Sequence, residues 1–241
     1  MKKRIAFFLL LSTSFLQAQD YFPINTGVKT SKNTTIAFTN AMIYVNHSKK
    51  IKKGTLLIKD GQVIGVGKSV TIPKGTQTID LKGKIIYPSF IDIFSDFGIE
   101  KPKRQQNSRR NKPQYDAGRN GYYWNDHIRP ETQALTSFKF DSKKSKEYLK
   151  AGFGVVNTHQ HDGIIRGTGI LVALNPTTTD AYRILNNTSA QYLSFKKSNL
   201  SKQAYPTSRM GAMALLRQTY LDASWYAQGN MKNKDLSLEA L

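Results

Sequence analysis

The stretch GTLLIKDGQVIGVG at residues 54–67 decides the first part of the fold. Two short apolar runs, Thr55–Lys59 and Gln62–Val66, flank the dipeptide Asp60-Gly61. A two-residue loop of this type takes positive φ at both positions and joins antiparallel strands tightly. The sequence therefore predicts a β-hairpin that turns at this dipeptide.

Further short strands are predicted on both sides of the hairpin, separated by turn-forming residues such as Pro73, Gly75 and Gly83. We interpret residues 35–87 as a small antiparallel β-sandwich unit. The strand candidates outside the hairpin are Thr35–Phe38, Ala41–Val45, Gln77–Leu81 and Lys84–Tyr87.

After Asp141 the pattern of a helix followed by strands is typical of an α/β protein. Asp141 or Ser142 can cap a helix that runs to about Lys150. A buried apolar strand should follow the helix, and two more strands come after it. The predicted strands are Phe153–Asn157, Gly169–Leu174 and Ala190–Phe195.

The longest predicted helix begins after Thr207 or Ser208 and runs to about Gln228. Its large apolar residues recur at roughly helical spacing, which favours a face packed on the core. The stretch DLSLEAL at residues 235–241 predicts the start of another helix, and we expect the chain to be truncated inside it. The residues expected to face the core are Met213, Leu216, Tyr220 and Trp225.

The first residues have the charged, apolar and small-residue order of a secretory signal. Lys2, Lys3 and Arg4 precede an apolar run, and Ala18 stands where a signal peptidase would cleave. The run is shorter than the roughly 20 residues that a membrane span needs, although an uncleaved membrane anchor or a buried first helix is the alternative. We therefore expect residues 1–18 to be a signal peptide, residues 19–34 an irregular lead-in, and the protein to be exported to the periplasm or cell envelope.

The 241-residue sequence contains no cysteine and has a formal net charge of +20. Disulfides, thiolate metal sites and cysteine nucleophiles are therefore excluded. The basic residues are dispersed, and no predicted helix carries a basic stripe with interleaved aromatic residues, so we predict no nucleic-acid partner. The polar basic stretch at residues 101–120 is interpreted as a surface loop, with an anion-binding arm as the alternative.

Three segments, in this order, resemble the entry region of the amidohydrolase superfamily, in particular its imidazolonepropionase-like branch. They are FTNAMIYV (38–45), GTLLIKDGQVIGVG (54–67) and IDLKGKIIYPSFID (79–92). Later segments look like a subgroup of exported bacterial amidohydrolase-like proteins. These are GFGVVNTHQHDGIIRGTG (152–169), SAQYLSFKKS (189–198) and YPTSRMGAMALLRQTYLDASWY (205–226).

The resemblance implies a small β-sandwich carried on a (β/α)₈ TIM-type barrel, and metal-dependent hydrolysis of non-peptide carbon–nitrogen bonds in a small-molecule substrate. A barrel alone takes about 250 residues. Residues 88–241 would therefore hold only its first part, and a C-terminal barrel segment would be missing. The complete fold would bind a divalent metal, with zinc favoured, whereas we expect this fragment to bind none and to be inactive.

One motif departs from the family pattern. The family's Pro-Gly-x-Ile-Asp-x-His-x-His corresponds to PSFIDIFSD at residues 88–96, so Phe94 and Asp96 stand at the two histidine positions. Phenylalanine cannot bind a metal, and one carboxylate does not replace two imidazoles. This half of the family's metal site is therefore absent or strongly altered.

His159 and His161 form a second candidate metal pair, since two histidines at i and i+2 after a strand can bind one ion, here beside Asp162. The alternative is a pair of polar residues with ordinary hydrogen bonds. The metal candidates are thus Asp96, His159 and His161, and we assign no catalytic or cofactor-binding residue.

The remaining polar motifs have simpler interpretations. His127 and His47 are interpreted as structural or exposed. The segment GIIRGTG at residues 163–169 lacks the Lys-Ser/Thr ending of a P-loop, so a strand-connecting turn is favoured over a phosphate cradle.

Three functions remain open. The first is the N-terminal part of an amidohydrolase-type enzyme, and the second is an inactive relative that serves as a binding or partner subunit. The third is an exported basic module that binds anionic envelope polymers. An active enzyme needs histidines and an aspartate at later strand ends, which an inactive relative can lack.

Overall fold

The computed structural model describes residues 35–103, 113–115, 118–229 and 233–241. The predicted signal peptide, the lead-in and part of the 101–120 loop lie outside the described residues. The described chain is a mixed α/β structure with three sheets. Among the helices in these ranges, none combines the length and the apolar character that crossing a bilayer requires.

Residues 35–86 form one five-stranded sheet in the order β3-β2-β1-β4, with β5 also paired to β1. Its strands are β1 (Thr35–Tyr44), β2 (Lys50–Lys59), β3 (Gln62–Gly67), β4 (Gln77–Asp80) and β5 (Ile85–Ile86). The predicted hairpin is confirmed, because Asp60 and Gly61 both have positive φ and Lys59 pairs with Gln62 across the turn. The sheet is compatible with one layer of the predicted sandwich.

The prediction of an antiparallel unit is wrong for its last two strands. Both β4 and β5 run parallel to β1. They point the same way as β3 but lie on the opposite side of β1, so residues 68–76 cross the sheet instead of turning tightly. The two strands predicted at the start of the unit are one bulged strand, because the chain bends at Asn40, where φ is 54°.

The second sheet has the order β10-β9-β7-β6. Its strands and the neighbouring helices are β6 (Phe90–Ser95), α1 (Ala134–Ser137), α2 (Ser142–Lys150), β7 (Phe153–Thr158), β9 (Ile170–Ala173), α3 (Asp180–Arg183) and β10 (Ile184–Asn186). Strands β6 and β7 are parallel with α2 between them in the chain, and Asp141 caps α2 as predicted. The other described pairings of this sheet are antiparallel.

The remaining described elements are β8 (Ile165–Thr168), β11 (Gln191–Leu193), α4 (Arg209–Ala227) and α5 (Leu236–Glu239). Strands β8 and β11 form an antiparallel pair. Ile165, Leu215 and Leu238 bring β8, α4 and α5 into one apolar core. A second core packs Phe97 and Val156 beside the second sheet. Helix α5 begins after the Asp235 cap and ends at Glu239.

Helix α4 has its predicted Ser208 cap, and Leu216 packs against the core as predicted, but the other three residues of the predicted apolar face are exposed. Met213 is 57% exposed, Tyr220 46% and Trp225 50%. Smaller side chains on another face let α4 approach the core closely, and helical spacing alone does not tell which apolar stripe is covered. The buried residues of α4 are Ala212, Leu215 and Thr219.

Candidate functional site

The candidate site lies where the parallel strands β6 and β7 end. Phe94 and Ser95 are the last residues of β6, and His159 directly follows β7. The backbone N–H of His159 donates to the carbonyl oxygen of Ser95 at 3.1 Å, which ties the two strand ends together. In β/α folds, side chains from successive parallel strands converge at this edge.

His159 is buried in an aromatic cage. Its ring stacks on Tyr192 with the centroids 3.5 Å apart, and Phe94 meets it edge-on at 4.7 Å. Both of its ring nitrogens are buried without a hydrogen-bond partner in the described part of the chain. Burial, with help from His161 and Arg166, lowers the pKa of His159 to about 3. The ring is therefore neutral near pH 7.

His161 lies beside His159, with the ring centroids 4.2 Å apart. Its Nε2 is 3.1 Å from the carbonyl oxygen of Ser95, and this contact requires Nε2 to be the donor because a carbonyl only accepts. Burial lowers the pKa of His161, while the hydrogen bond to Ser95 opposes the shift. The structure thus brings together the two histidines that the sequence predicted as a pair.

Asp96 is engaged by two lysines. Its carboxylate lies 2.6 Å from Lys101 Nζ and 3.3 Å from Lys144 Nζ. The hydrogen bond from Lys101 is the largest cause that holds the pKa of Asp96 below its usual range. Asp96 also raises the pKa of both histidines, but burial lowers those pKa values more strongly.

The described residues do not fit a catalytic zinc site. Such a site needs at least three protein ligands, and within the described ranges no group of three or more His, Asp or Glu side chains is arranged to hold a metal. Neutral imidazoles are suitable ligands. The ring of Phe94, however, lies 4.7 Å from His159 and 4.8 Å from His161, where a further ligand would be needed. Zinc binding therefore stays a prediction.

A buried polar network holds residues 194–203 near the strand ends. Nδ1 of His127 accepts the backbone N–H of Ser198 at 3.0 Å, and burial lowers the pKa of His127 to about 4. Asp162 accepts the Ser198 hydroxyl and, at 2.6 Å, the backbone N–H of Asn199. His127 thus has a structural role, as predicted, and Asp162 anchors a loop.

The segment GIIRGTG does not form the predicted strand-connecting turn, because its residues 165–168 are strand β8. Gly167 has a φ of 83°, and a Cβ there would lie 1.9 Å from the carbonyl oxygen of Thr132. This close backbone approach explains the glycine. Between the glycines, Arg166 is 5% exposed, its Nε donates to the carbonyl oxygen of Gly163 at 3.2 Å, and its Nη1 is buried without a partner in the described chain.

Two adjoining cavities of about 560 and 490 Å³ open at these strand ends, and both are lined by Lys101, Pro102 and Arg166. Sequence reasoning did not select Arg166 or Tyr192 as site residues. An arginine inside a glycine-rich segment next to the histidine pair was a usable signal for Arg166. Tyr192 gave no signal, because it reaches the site from β11.

His47 was predicted to be structural or exposed, and it is exposed. It lines a separate, mainly apolar cavity with Tyr44, Tyr87 and Phe90, between the first sheet and the start of β6. His47 and His161 therefore line different cavities.

The fold is similar to that of a solved amidohydrolase. A crystal structure of an amidohydrolase from Thermotoga maritima MSB8 matches with a TM-score of 0.61 and 21% sequence identity, over 85% of this chain and 54% of that chain. A second amidohydrolase crystal structure is 30% identical, but it covers 28% of this chain and 17% of that chain with a TM-score of 0.25, too little to support an argument. No protein-family model and no curated protein matches the chain.

The match to the Thermotoga protein establishes likeness of fold. This chain spans about half the length of that protein, 54% of it. At such identity a shared fold does not carry the activity with it, because function depends on the residues of the site.

Proposed function

We propose that this chain is the N-terminal part of an exported amidohydrolase-type hydrolase that acts on non-peptide carbon–nitrogen bonds of a small molecule. In this proposal, residues 35–87 belong to the β-sandwich unit and residues 88–241 to the first part of a β/α barrel. The chain alone is inactive, because the remaining barrel strands and their catalytic side chains come from a C-terminal segment.

The observation that carries the proposal is the likeness to the Thermotoga amidohydrolase over 85% of this chain but 54% of that one. The parallel unit β6–α2–β7 supports it, because this is the repeating unit of a β/α barrel. The cavities at the carboxyl ends of these two strands support it as well, since barrel enzymes bind their substrates at that edge.

The second candidate is an inactive relative that binds a ligand or a partner. Phe94, which packs against both His159 and His161, favours it, and so does the engagement of Asp96 by Lys101 and Lys144. These side chains occupy the strand ends where the family's metal ligands would lie. A zinc site in the complete protein would therefore take its ligands from outside the described residues.

The test compares the 241-residue chain with the full-length protein on a panel of amides, lactams and cyclic ureides. We expect hydrolysis by the full-length protein and none by the chain alone. Metal analysis of both purified proteins, with His159→Ala and His161→Ala variants of each, shows whether these histidines hold a metal. We expect no loss of metal in either variant.

Three outcomes would change the assignment. Hydrolysis by the isolated chain, or stoichiometric zinc that disappears in the two histidine variants, would contradict the inactive N-terminal part. Absence of hydrolysis by the full-length protein across the panel would favour the inactive relative.

Mass spectrometry of the mature N-terminus tests export, because cleavage near Ala18 is expected.

A further inference from the structure

Of the two cavities at the ends of β6 and β7, the larger is strongly basic. Four cationic side chains line the larger one, of about 560 Å³, and no carboxylate is among its lining residues. The four are Lys101, Arg166, Lys196 and Arg209. Lys101 is ion-paired with Asp96. The other three cationic side chains have no acidic residue beside them in the lining of this cavity.

Arg166 is the unusual member of this set because it is buried. It is 5% exposed, and its Nε donates to the carbonyl oxygen of Gly163 at 3.2 Å. Its Nη1 is buried and unpartnered within the described chain, although the side chain lines both cavities. A buried guanidinium N–H without an acceptor is costly, and an oxyanion is the partner that satisfies it best.

Another part of the cavity lining is held in place before any ligand binds. Lys196 and Asn199 line the larger cavity, and their loop is fixed by the contacts of His127 and Asp162 with Ser198 and Asn199 described above. These anchors are buried, so the loop does not have to be ordered on binding.

The same cavity has an aromatic side. Phe94 and Phe195 line it, and both are exposed. The guanidinium carbon of Arg166 lies 6.0 Å from the ring centroid of Phe94. A ligand that fills the cavity would therefore meet cations at one end and an apolar surface beside them.

We propose that this cavity binds a small organic anion, with its carboxylate or phosphate group on Arg166 and Lys196 and its apolar body against Phe94. The inference rests on the proposed function in one respect, since this anion would be the substrate class of the hydrolase. Binding itself requires no hydrolysis. The site therefore also suits the inactive relative.

Calorimetric titration of the 241-residue chain tests the site with benzoate, phenylphosphate and neutral benzamide. We expect one-to-one binding of at least one of the two anions, and benzamide about tenfold weaker or more. Arg166→Gln should weaken anion binding by about tenfold, and Lys196→Gln by a few-fold. Lys52→Gln, an exposed charge loss in β2, is the matched control and should bind as the parent does.

Circular dichroism shows whether Arg166→Gln is folded. If Arg166→Gln does not fold, Lys196→Gln still tests the site. Lys196 is exposed, so this variant should fold and yet bind anions more weakly. Tighter benzoate identifies a carboxylate ligand and tighter phenylphosphate a phosphate ester. Equal binding of benzamide, unchanged binding in both variants, or inorganic phosphate as tight as phenylphosphate would overturn the proposal. Failed binding beside intact hydrolysis by the full-length protein would reject this inference and leave the proposed function standing.

Discussion

Strands β6 and β7 are parallel neighbours with similar apolar sequences, FIDIFS and FGVVNT, yet they differ in burial. In β6, Ile93 is 73% exposed, and Phe90 and Phe94 are exposed as well. In β7, Val156 is 0% exposed. The difference follows from position, because β7 lies between β6 and β9 and packs against α2, whereas β6 is the edge of the described sheet.

An apolar sequence shows that a strand favours burial, but the neighbouring elements determine whether the strand is buried. Strand β6 has the composition of a strand covered on both faces but an edge position in the described chain. An exposed apolar edge strand promotes association, so we expect the isolated chain to aggregate readily. It also carries Phe94, so the exposed strand and the candidate site meet at one strand end.

The largest expected effect tests this contrast directly. Val156→Asp would bury an unpaired carboxylate in the core beside Phe97, and we expect it to lower the free energy of unfolding by about 4 kcal/mol or more. Ile93→Asp, on the neighbouring strand, should change it by about 0.5 kcal/mol or less and improve solubility. Urea denaturation of both variants, with light scattering, measures the two effects. Comparable destabilisation by both would show that β6 is covered in solution.

Much of the fold can be predicted from the sequence where local chemistry dominates. The Asp60-Gly61 turn and the caps at Asp141 and Ser208 lie where predicted, because each depends on a few adjacent residues. The direction of β4 and β5 could not be predicted, since strand pairing depends on how residues 68–76 cross the sheet. The buried face of α4 depends equally on distant partners.

The candidate site divides in the same way. The histidine pair was visible because both residues follow one apolar strand. Its surroundings were not, since the stacking ring of Tyr192 comes from β11 and the lysines that hold Asp96 come from other segments. Sequence spacing can therefore nominate ligands, but it does not show which of them are already occupied.

The second prediction concerns the buried end of β7. The pKa of His159 is lowered from 6.5 to about 3, so the folded state stays neutral while the unfolded state takes up a proton. Above pH 6.5 the histidine is neutral in both states and does not affect the free energy of unfolding. As the pH falls from 6.5 towards 3, protonation of the unfolded state alone lowers the free energy of unfolding. We expect His159→Leu to reduce this acid sensitivity by up to about 1.4 kcal/mol per pH unit. Denaturation at several pH values measures it.

His47→Leu is the control for this prediction, since His47 is an exposed histidine near the first sheet. Its unfolding in the same denaturation series should match that of the parent chain. Equal pH profiles for the parent chain and His159→Leu would mean that His159 is protonated or solvated in the folded state. That result would remove the contrast between the buried end of β7 and the exposed strand β6.

The smallest expected effect is at the end of β6, where Asp96 joins the strand to α2 through Lys144 and to the next segment through Lys101. The lowered pKa means that this carboxylate stabilises the fold above its ordinary value of 3.8, and that the contribution is lost as the pH falls through the folded pKa. Because the Lys101 side chain is 74% exposed, solvent screens the pair, and we expect Asp96→Asn to cost less than about 1 kcal/mol near neutral pH. The cost should shrink further in high salt. Glu147→Gln, an exposed charge change on α2, is the matched control in the same denaturation series. A loss as large as that of Val156→Asp would mean that the end of β6 is buried and its ion pairs shielded from solvent, contrary to the edge position assigned to that strand.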